Sequence, residues 1–550
     1  MKKLLLTFAA SLLLIGCSSE NTTSESNESA KENQTTSSTN SKDGIVFHRG
    51  NGSEPDTLDP HRSEETSAAD ILRDLYEGLT AEAIDGSLIP GVAERWEISE
   101  DGKTYTFYLR DDAKWSNGDP VVADDFVAGL RRTVDPLTLS NYAQILDMIV
   151  NAKDIRQDKL PVEQLGVKAI TDKELEINLI GPTPYFLGLL NHSSTYPIHR
   201  ASLAEFGDKF AKAGNLVGNG AYTLKEWVVS SHIKLQRNTH YHDNENSQID
   251  TVFYYPTEDQ SAELKRYRAG ELDFTFEIPN NQIRFIKQNL ADEFFVEPRL
   301  STYYYIFDTT EPPFNDIKLR QALSMAIDRK TLVEKVTGVG EQAAYGFVPP
   351  AINNYRAYQY DWTAWPREKQ VEEARRLYAE AGYSAENPLV TEIRYNTSEN
   401  HKKVAIAIAA MWKQVLGADV KLLNEEWKVF LQSRKDKAKW DIVRYGWVGD
   451  YNDAFTYAEI MHSTHGQNDS GFANAEYDSL LAQSMMEPDL EKRADILNQS
   501  EKIMLNEYPI IPIYFYVNKR LVKPYMTNYR LNIMDHNYTR HFRKEQLTQP

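Results

Sequence analysis

Between Leu389 and Tyr445 the chain switches between two side-chain periodicities at short intervals, and few folds accommodate that order. Leu389 to Tyr395 is a β-branched and aromatic run that reads as a strand. His401 to Leu416 carries Val404, Ile408, Met411, Trp412 and Val415 on one helical stripe, with Gly417 as its stop. Asp419 to Leu423 reads as a second strand, Glu425 to Arg434 as a second helix, and Trp440 to Tyr445 as a third strand. Strand, helix, strand, helix, strand with short loops predicts a parallel sheet, because parallel neighbours need a crossover and a helix supplies it. Ligands of open parallel sheets bind beyond the carboxyl ends of the strands. Asn396, Asn424 and the loop predicted from Gly446 to Asp453 all fall there. Glu54 follows the first strand of the folded body in the same way. Each of these residues alone reads equally well as a loop cap; the argument is that they share one kind of location.

The remaining elements enlarge the same α/β picture. At 550 residues the chain exceeds one hydrophobic core, so two or three domains are expected. Gly44 to Arg49 reads as a strand, Asn51-Gly52-Ser53 as a turn, and Ser67 to Leu79 as a helix with Ile71, Leu72, Leu75 and Leu79 on one face. Tyr105, Phe107 and Leu109 alternate as a strand does, and Asn117-Gly118-Asp119-Pro120 turns the chain. Thr251 to Tyr255 and Ser301 to Phe307 add further strands, and no fixed-period repeat is visible.

The N-terminus speaks to location. Lys2 and Lys3 precede an apolar run from Leu4 to Ile15, then Gly16 and Cys17, the pattern of an export signal. That run is shorter than the ~20 residues a membrane-spanning helix requires. Leu14-Ile15-Gly16-Cys17 resembles the lipobox of bacterial lipoproteins, which implies that Cys17 is lipidated and becomes the first mature residue. Cys17 is also the single cysteine, so the mature body is held by its core without an internal disulfide. Residues 18–43 are almost wholly polar and read as a disordered tether, whose root-mean-square reach is roughly 25–30 Å. A tether of that kind suggests the outer face of the plasma membrane of a thick-walled, Gram-positive cell.

Several chemistries find no footing. A formal net charge of -19 argues against nucleic acid as a partner. There is no H-E-x-x-H, P-loop, G-x-S-x-G or dinucleotide fingerprint. With Cys17 committed to lipid, no thiol nucleophile or zinc thiolate remains. The pairs His240/His242 and His462/His465 lack a clear third ligand, and Asp450-Tyr451-Asn452-Asp453 lacks the glycine and glutamate of a calcium loop. A binding protein without cofactor or metal is the expectation, not an enzyme. A carboxylate-dependent secreted hydrolase stays open as an alternative, since 80 acidic residues always offer some pair.

Seven segments then fall in a recognisable order: Asn51-Gly52-Ser53-Glu54 with Leu58-Asp59-Pro60, Arg73 to Leu79, Asp112 to Gly118, Asn219-Gly220-Ala221-Tyr222, Pro312 to Asp316, Ala344-Tyr345-Gly346, and Asp450-Tyr451-Asn452. Together they resemble the oligopeptide-binding proteins of ABC importers, within the peptide/nickel solute-binding family, from about Asn51 to about Pro524. The resemblance implies a two-lobed, periplasmic-binding-protein-like α/β fold with an additional third domain and hinge closure over the ligand. It implies one lobe from residues 44–66, 199–300 and 518–550, the additional domain at 67–198, and the second lobe at 301–517. It further implies that Asp450 anchors a peptide α-ammonium, that Glu54 and Arg444 line side-chain pockets, that Arg434 and His401 receive the carboxyl end, and that Trp427 walls a pocket. Its partners would be short peptides and a membrane permease, with the receptor acting as a monomer. A dedicated ligand (a peptide pheromone, a cell-wall peptide, haem or a nickel chelate) is the alternative within the class. Three departures are visible: Ser301 and Val448 stand where Gram-negative relatives carry a cysteine pair, Thr337 replaces a basic residue, and one extra residue separates Arg434 from Arg444.

Overall fold

The computed structural model describes residues 44–436, 440–530 and 532–545. Cys17, the export signal and the tether lie outside the described residues. The described body is built on three main sheets. In the first, Val46–Gly50 pairs in parallel with Thr251–Tyr255, and His232–Arg237 and Tyr222–Val228 continue it antiparallel. A second, wholly antiparallel sheet runs Ala93–Ile98, Thr104–Leu109, Glu174–Asn178, Val167–Thr171. The third has six strands, in the order Gln342–Ala343, Ile510–Leu521, Phe294–Phe307, Ile442–Val448, Val390–Asn396, Asp419–Glu425.

The parallel part of the third sheet is the segment with alternating periodicities. Val390–Asn396 pairs in parallel with Asp419–Glu425 over seven residues and with Ile442–Val448 at Ile393 and Arg394. The helix Glu399–Leu416 between them starts at Ser398, whose side chain accepts from His401 N, and stops at Gly417 with φ 77°. Val404, Ala405, Ile408 and Trp412 are buried, while Met411 and Val415 sit half-buried on the flanks of the stripe. The indole of Trp412 donates to Leu323 O at 2.8 Å, so the bulkiest side chain of that face leaves no polar atom unsatisfied.

Two expected boundaries move. The helix predicted to Leu79 spans Thr66–Leu75, and Tyr76 is already extended. A Cβ on Gly78 would stand 2.3 Å from Leu190 O, and Gly78 O and Leu79 O are engaged by Val92 N and Gly91 N. Tertiary packing therefore pulls these residues out of the helix. The third strand runs on to Val448, so Gly446, Trp447 and Val448 are strand and not the start of a loop. The cause is its antiparallel partner, since Thr302 pairs with Trp447 and Ser301 with Val448.

Two long antiparallel strands, Phe294–Phe307 and Ile510–Leu521, tie the sheets together. Their far end reaches the first sheet through bridges from Phe274 to both Arg49 and Val522. The Arg49 guanidinium, 1% exposed, donates to Asn537 O and lies over the rings of Tyr254 and Phe274, joining the N-terminal strand, the middle of the chain and the C-terminal segment.

Candidate binding cleft

Beyond the carboxyl ends of the parallel strands lies a cleft of two adjoining chambers, about 150 and 200 Å3. Glu65, Thr66, Arg299, Trp427, Gly446, Val448 and Asp535 line both. The walls thus come from the first turn of the Thr66 helix, from the six-stranded sheet and from the C-terminal segment. Each chamber alone is below the ~300–1,000 Å3 of a drug-sized pocket, and their shared walls make them one elongated space.

The strand Ile442–Val448 forms the floor. On one side it is paired along its whole length with Ser301 to Phe307; on the other it meets Val390–Asn396 only at Ile442 and Val443. Among the described residues no strand lies beside that second edge from Arg444 onward, and Tyr445, Gly446, Trp447 and Val448 line the first chamber. An unpaired strand edge in an enclosed cleft is a template for an extended guest backbone. Gly446 keeps it open, because a Cβ there would sit 3.0 Å from Arg444 Nη2 and 3.3 Å from the Tyr516 hydroxyl.

At one end stands Asp450, its side chain 11% exposed. Burial pushes the carboxyl up to about 7, against the opposing pull of the Thr456 hydroxyl, Arg73 and the Tyr142 hydroxyl. His192 Nε2 lies 3.5 Å away, yet burial pushes that imidazole down to about 3, so it is neutral and supplies no counter-charge. A carboxylate so placed gains most from an incoming cation. Arg434 belongs to the same chamber and is already engaged, by Glu64 Oε2 at 3.4 Å, by Gln467 Oε1 at 3.3 Å and by the face of Tyr445.

The other chamber holds Arg444, Lys519 and Arg520 together with Glu258, Glu263 and Glu277. Arg444 donates to Asn396 Oδ1 at 3.2 Å and to the Tyr516 hydroxyl, and lies 4.9 Å from the Tyr303 ring centroid. His401 is buried with Nδ1 unpartnered, and its pKa is held well below the usual range by burial and by Arg444 and Lys519. It is therefore a neutral hydrogen-bonding group there and not a cation. Trp427 spans both chambers, its indole donating to Glu65 and its backbone N–H to Glu258 Oε1 at 3.3 Å.

Of the eight side chains singled out from sequence, seven line the cleft: Asp450, Arg434, Trp427, Gly446, Arg444, Asn396 and His401. Glu54 does not. Its carboxylate turns away to accept from Trp227 Nε1 at 2.5 Å and Ser230 N at 3.0 Å, which corrects the expectation that it lines a pocket. Among the lining residues that sequence reasoning missed are Glu65, Arg299, Asp535 and Lys519. Lys519 had a signal, since Asn518-Lys519-Arg520 interrupts an otherwise apolar buried strand; its Nζ donates to Asn280 Oδ1 and Glu341 Oε1. Of the histidine pairs, His242 is taken by Glu77 at 2.6 Å and His465 by Gln144 at 2.9 Å, and among the described residues no three metal-ligating side chains converge.

The family model of bacterial extracellular solute-binding proteins, family 5, matches residues 87–469. The chain belongs to that family. Its curated relatives include the periplasmic oligopeptide-binding protein OppA of Escherichia coli, 42% identical over 90% of this chain and 91% of that one. They also include the E. coli periplasmic murein peptide-binding protein MppA, 41% identical over 87% and 89%. The crystal structure of Haemophilus influenzae OppA in complex with RPPGFSPFR superposes with a TM-score of 0.88, at 39% identity, over 91% of this chain and 99% of that one. An MppA structure described as its unliganded open form covers as much of this family 5 chain but reaches only 0.66. The structure is thus nearer to the peptide complex than to the unliganded open form. These relatives are named as binding proteins, and the family is extracytoplasmic.

Proposed function

We propose that this family 5 protein is the receptor of an ABC importer, enclosing short peptides in the cleft and delivering them to a membrane permease. The observation that carries the reading is Asp450, a carboxylate 11% exposed that, among the described residues, touches no charged cation, at the end of an unpaired strand edge. On this reading the guest lies along Tyr445 to Val448 as an added strand, which gives affinity without reading its side chains. Its α-ammonium meets Asp450 in a charge-assisted bond, worth about 1.5–3 kcal/mol. Arg434 and His401 receive the carboxyl end, depending on the length of the guest, Arg444 lines a side-chain pocket, and Trp427 and Asn396 bound the space between. OppA relatives named for oligopeptides, one with nine residues bound, support this ligand class.

The same reading divides the body into one lobe at 44–66, 199–300 and 518–550, an additional domain at 67–198, and a second lobe at 301–517. The two long strands joining the sheets serve as the hinge. Cys17 carries the lipid anchor, the polar residues after it the tether, and the receptor works as a monomer on the outer face of the cell membrane. The tether favours a thick-walled cell, whereas the OppA and MppA relatives at 40% identity or more come from Gram-negative species.

Native mass spectrometry of the purified protein tests the function. A ladder of co-purified peptide masses is expected, and their intact recovery after long incubation separates binding from hydrolysis. The likeness to MppA favours one narrower reading, a receptor for a cell-wall peptide, for which a single bound mass would be found. Bound species that contain no peptide would overturn both.

A further inference from the structure

A larger cavity, about 760 Å3, lies apart from the cleft and shares no lining residue with either chamber. It opens between residues 144–180 on one side and residues 455–465 with the helix Ala475–Met486 on the other. Its volume falls within the ~300–1,000 Å3 range of small-molecule sites. Met148, Ile149, Ile180, Phe455, Leu481 and Met485 supply its apolar lining.

One group in it lacks a counterpart. Glu459 is 7% exposed, and the hydroxyl of Tyr451 donates to its Oε1 at 2.7 Å. Among the described residues it makes no ion pair. Of the other charges around it, Asp147 pairs with Arg156 at 2.8 Å, Asp453 with Arg493 by two bonds of 2.8 Å, and Asp478 accepts from the backbone of Ser463, while Lys153 and Asp154 stand exposed at the rim, Asp154 beside Lys159 at 3.4 Å. His462 and His465 are held neutral by burial, His465 against Gln144. Burial, with Asp450, Asp147 and Asp453 nearby, raises the Glu459 carboxyl far above its ordinary range. A buried acid without a cation, facing an apolar cavity, is stabilised by a ligand that brings one.

We propose that this cavity is a second site, separate from the peptide cleft, for a small amphiphile with an ammonium head. The head pairs with Glu459, and the apolar body lies against Met148, Ile149, Ile180, Leu481 and Met485. An ammonium head holds Glu459 ionised and pairs with it, whereas neither an acid nor an alcohol brings a positive charge to do so.

Octylammonium is the probe, titrated calorimetrically into the full chain, with octanoate and octanol as comparisons. The same titration in the Asp450→Asn protein removes the competing carboxylate of the cleft. Saturable one-to-one binding of octylammonium is expected, persisting in Asp450→Asn and weakened at least ten-fold by Glu459→Gln, whose amide still accepts from Tyr451. If Glu459→Gln fails to fold, Met485→Trp fills the cavity instead and should abolish the binding. Loss of binding in Asp450→Asn, octanoate binding as tightly as octylammonium, or no saturable binding at millimolar concentration would each overturn the assignment. Failure here leaves the peptide reading untouched, since that is measured on peptides.

Discussion

Replacing Asp450 by Asn removes a charge while keeping the shape, and its consequences can be worked through. With its pKa near 7, about half of the empty receptor carries an ionised Asp450 at neutral pH. A peptide ammonium holds the carboxylate ionised, so binding at lower pH must first expel a proton. The protonated fraction then weakens affinity by a factor of 1 + 10^(7 − pH), so binding should be roughly 25-fold weaker at pH 5.5 than at pH 7.5. Asp450→Asn should lose the charge-assisted part of the interaction, about 1.5–3 kcal/mol or roughly 10- to 150-fold in Kd at pH 7.5. It should also flatten the dependence on pH. An N-acetylated peptide, having no ammonium, should bind both proteins alike. The stability of the unliganded protein moves the opposite way. The folded-state pKa lies above the ordinary carboxyl value of 3.8, so the folded form holds the extra proton between about 4 and 7 and Asp450 costs stability as pH rises through that window. Calorimetry with free-amine and acetylated forms of one peptide at pH 5.5 and 7.5 makes the comparison. Equal affinities of wild type and Asp450→Asn for the free-amine peptide would refute the assignment, whatever the structure suggests.

Three further outcomes follow from the same geometry. Gly446→Ala places a methyl 3.0 Å from the Arg444 guanidinium at the junction of the chambers, and should weaken peptide binding about ten-fold with little change in Tm. Ser301 and Val448 are opposed across two antiparallel strands, and the bond from Gly449 N to Leu300 O makes theirs the closer, non-hydrogen-bonded kind of pair. Ser301→Cys with Val448→Cys should therefore oxidise to a disulfide, seen as a two-dalton mass loss, and add about 2–4 kcal/mol to stability against denaturant. Trp412→Ala, in a fully buried site, should cost about 3–5 kcal/mol in the same denaturation assay while leaving peptide affinity unchanged.

Much of the second half of the chain was legible because its signals are local. Ser398 ahead of the helix, Gly417 behind it and the apolar stripe between them act within a few turns, and the observed helix begins two residues before the expected His401. Element ends fared worse wherever a distant partner decided them. The Thr66 helix stops early because Gly78 must lie against Leu190, and the Ile442 strand runs long because Ser301 and Thr302 pair with its end. Glu54 shows the same limit in the cleft. It does follow a strand end, but nothing local says which way its side chain turns, and Trp227, far along the chain, captures it.

Local periodicity and chain order were enough to establish an α/β body with a parallel sheet and to point to the strand ends beside which the cleft lies. They could not say that Glu65 and Trp427, 362 residues apart, would share a hydrogen bond across both chambers. Nor could they say that the imidazole beside Asp450, that of His192, would be neutral. Periodicity records which face of an element is apolar, an average over neighbours that one turn or one strand already contains. Charge state and reach depend on which particular groups end up within a few ångströms, and only the packed structure brings them there.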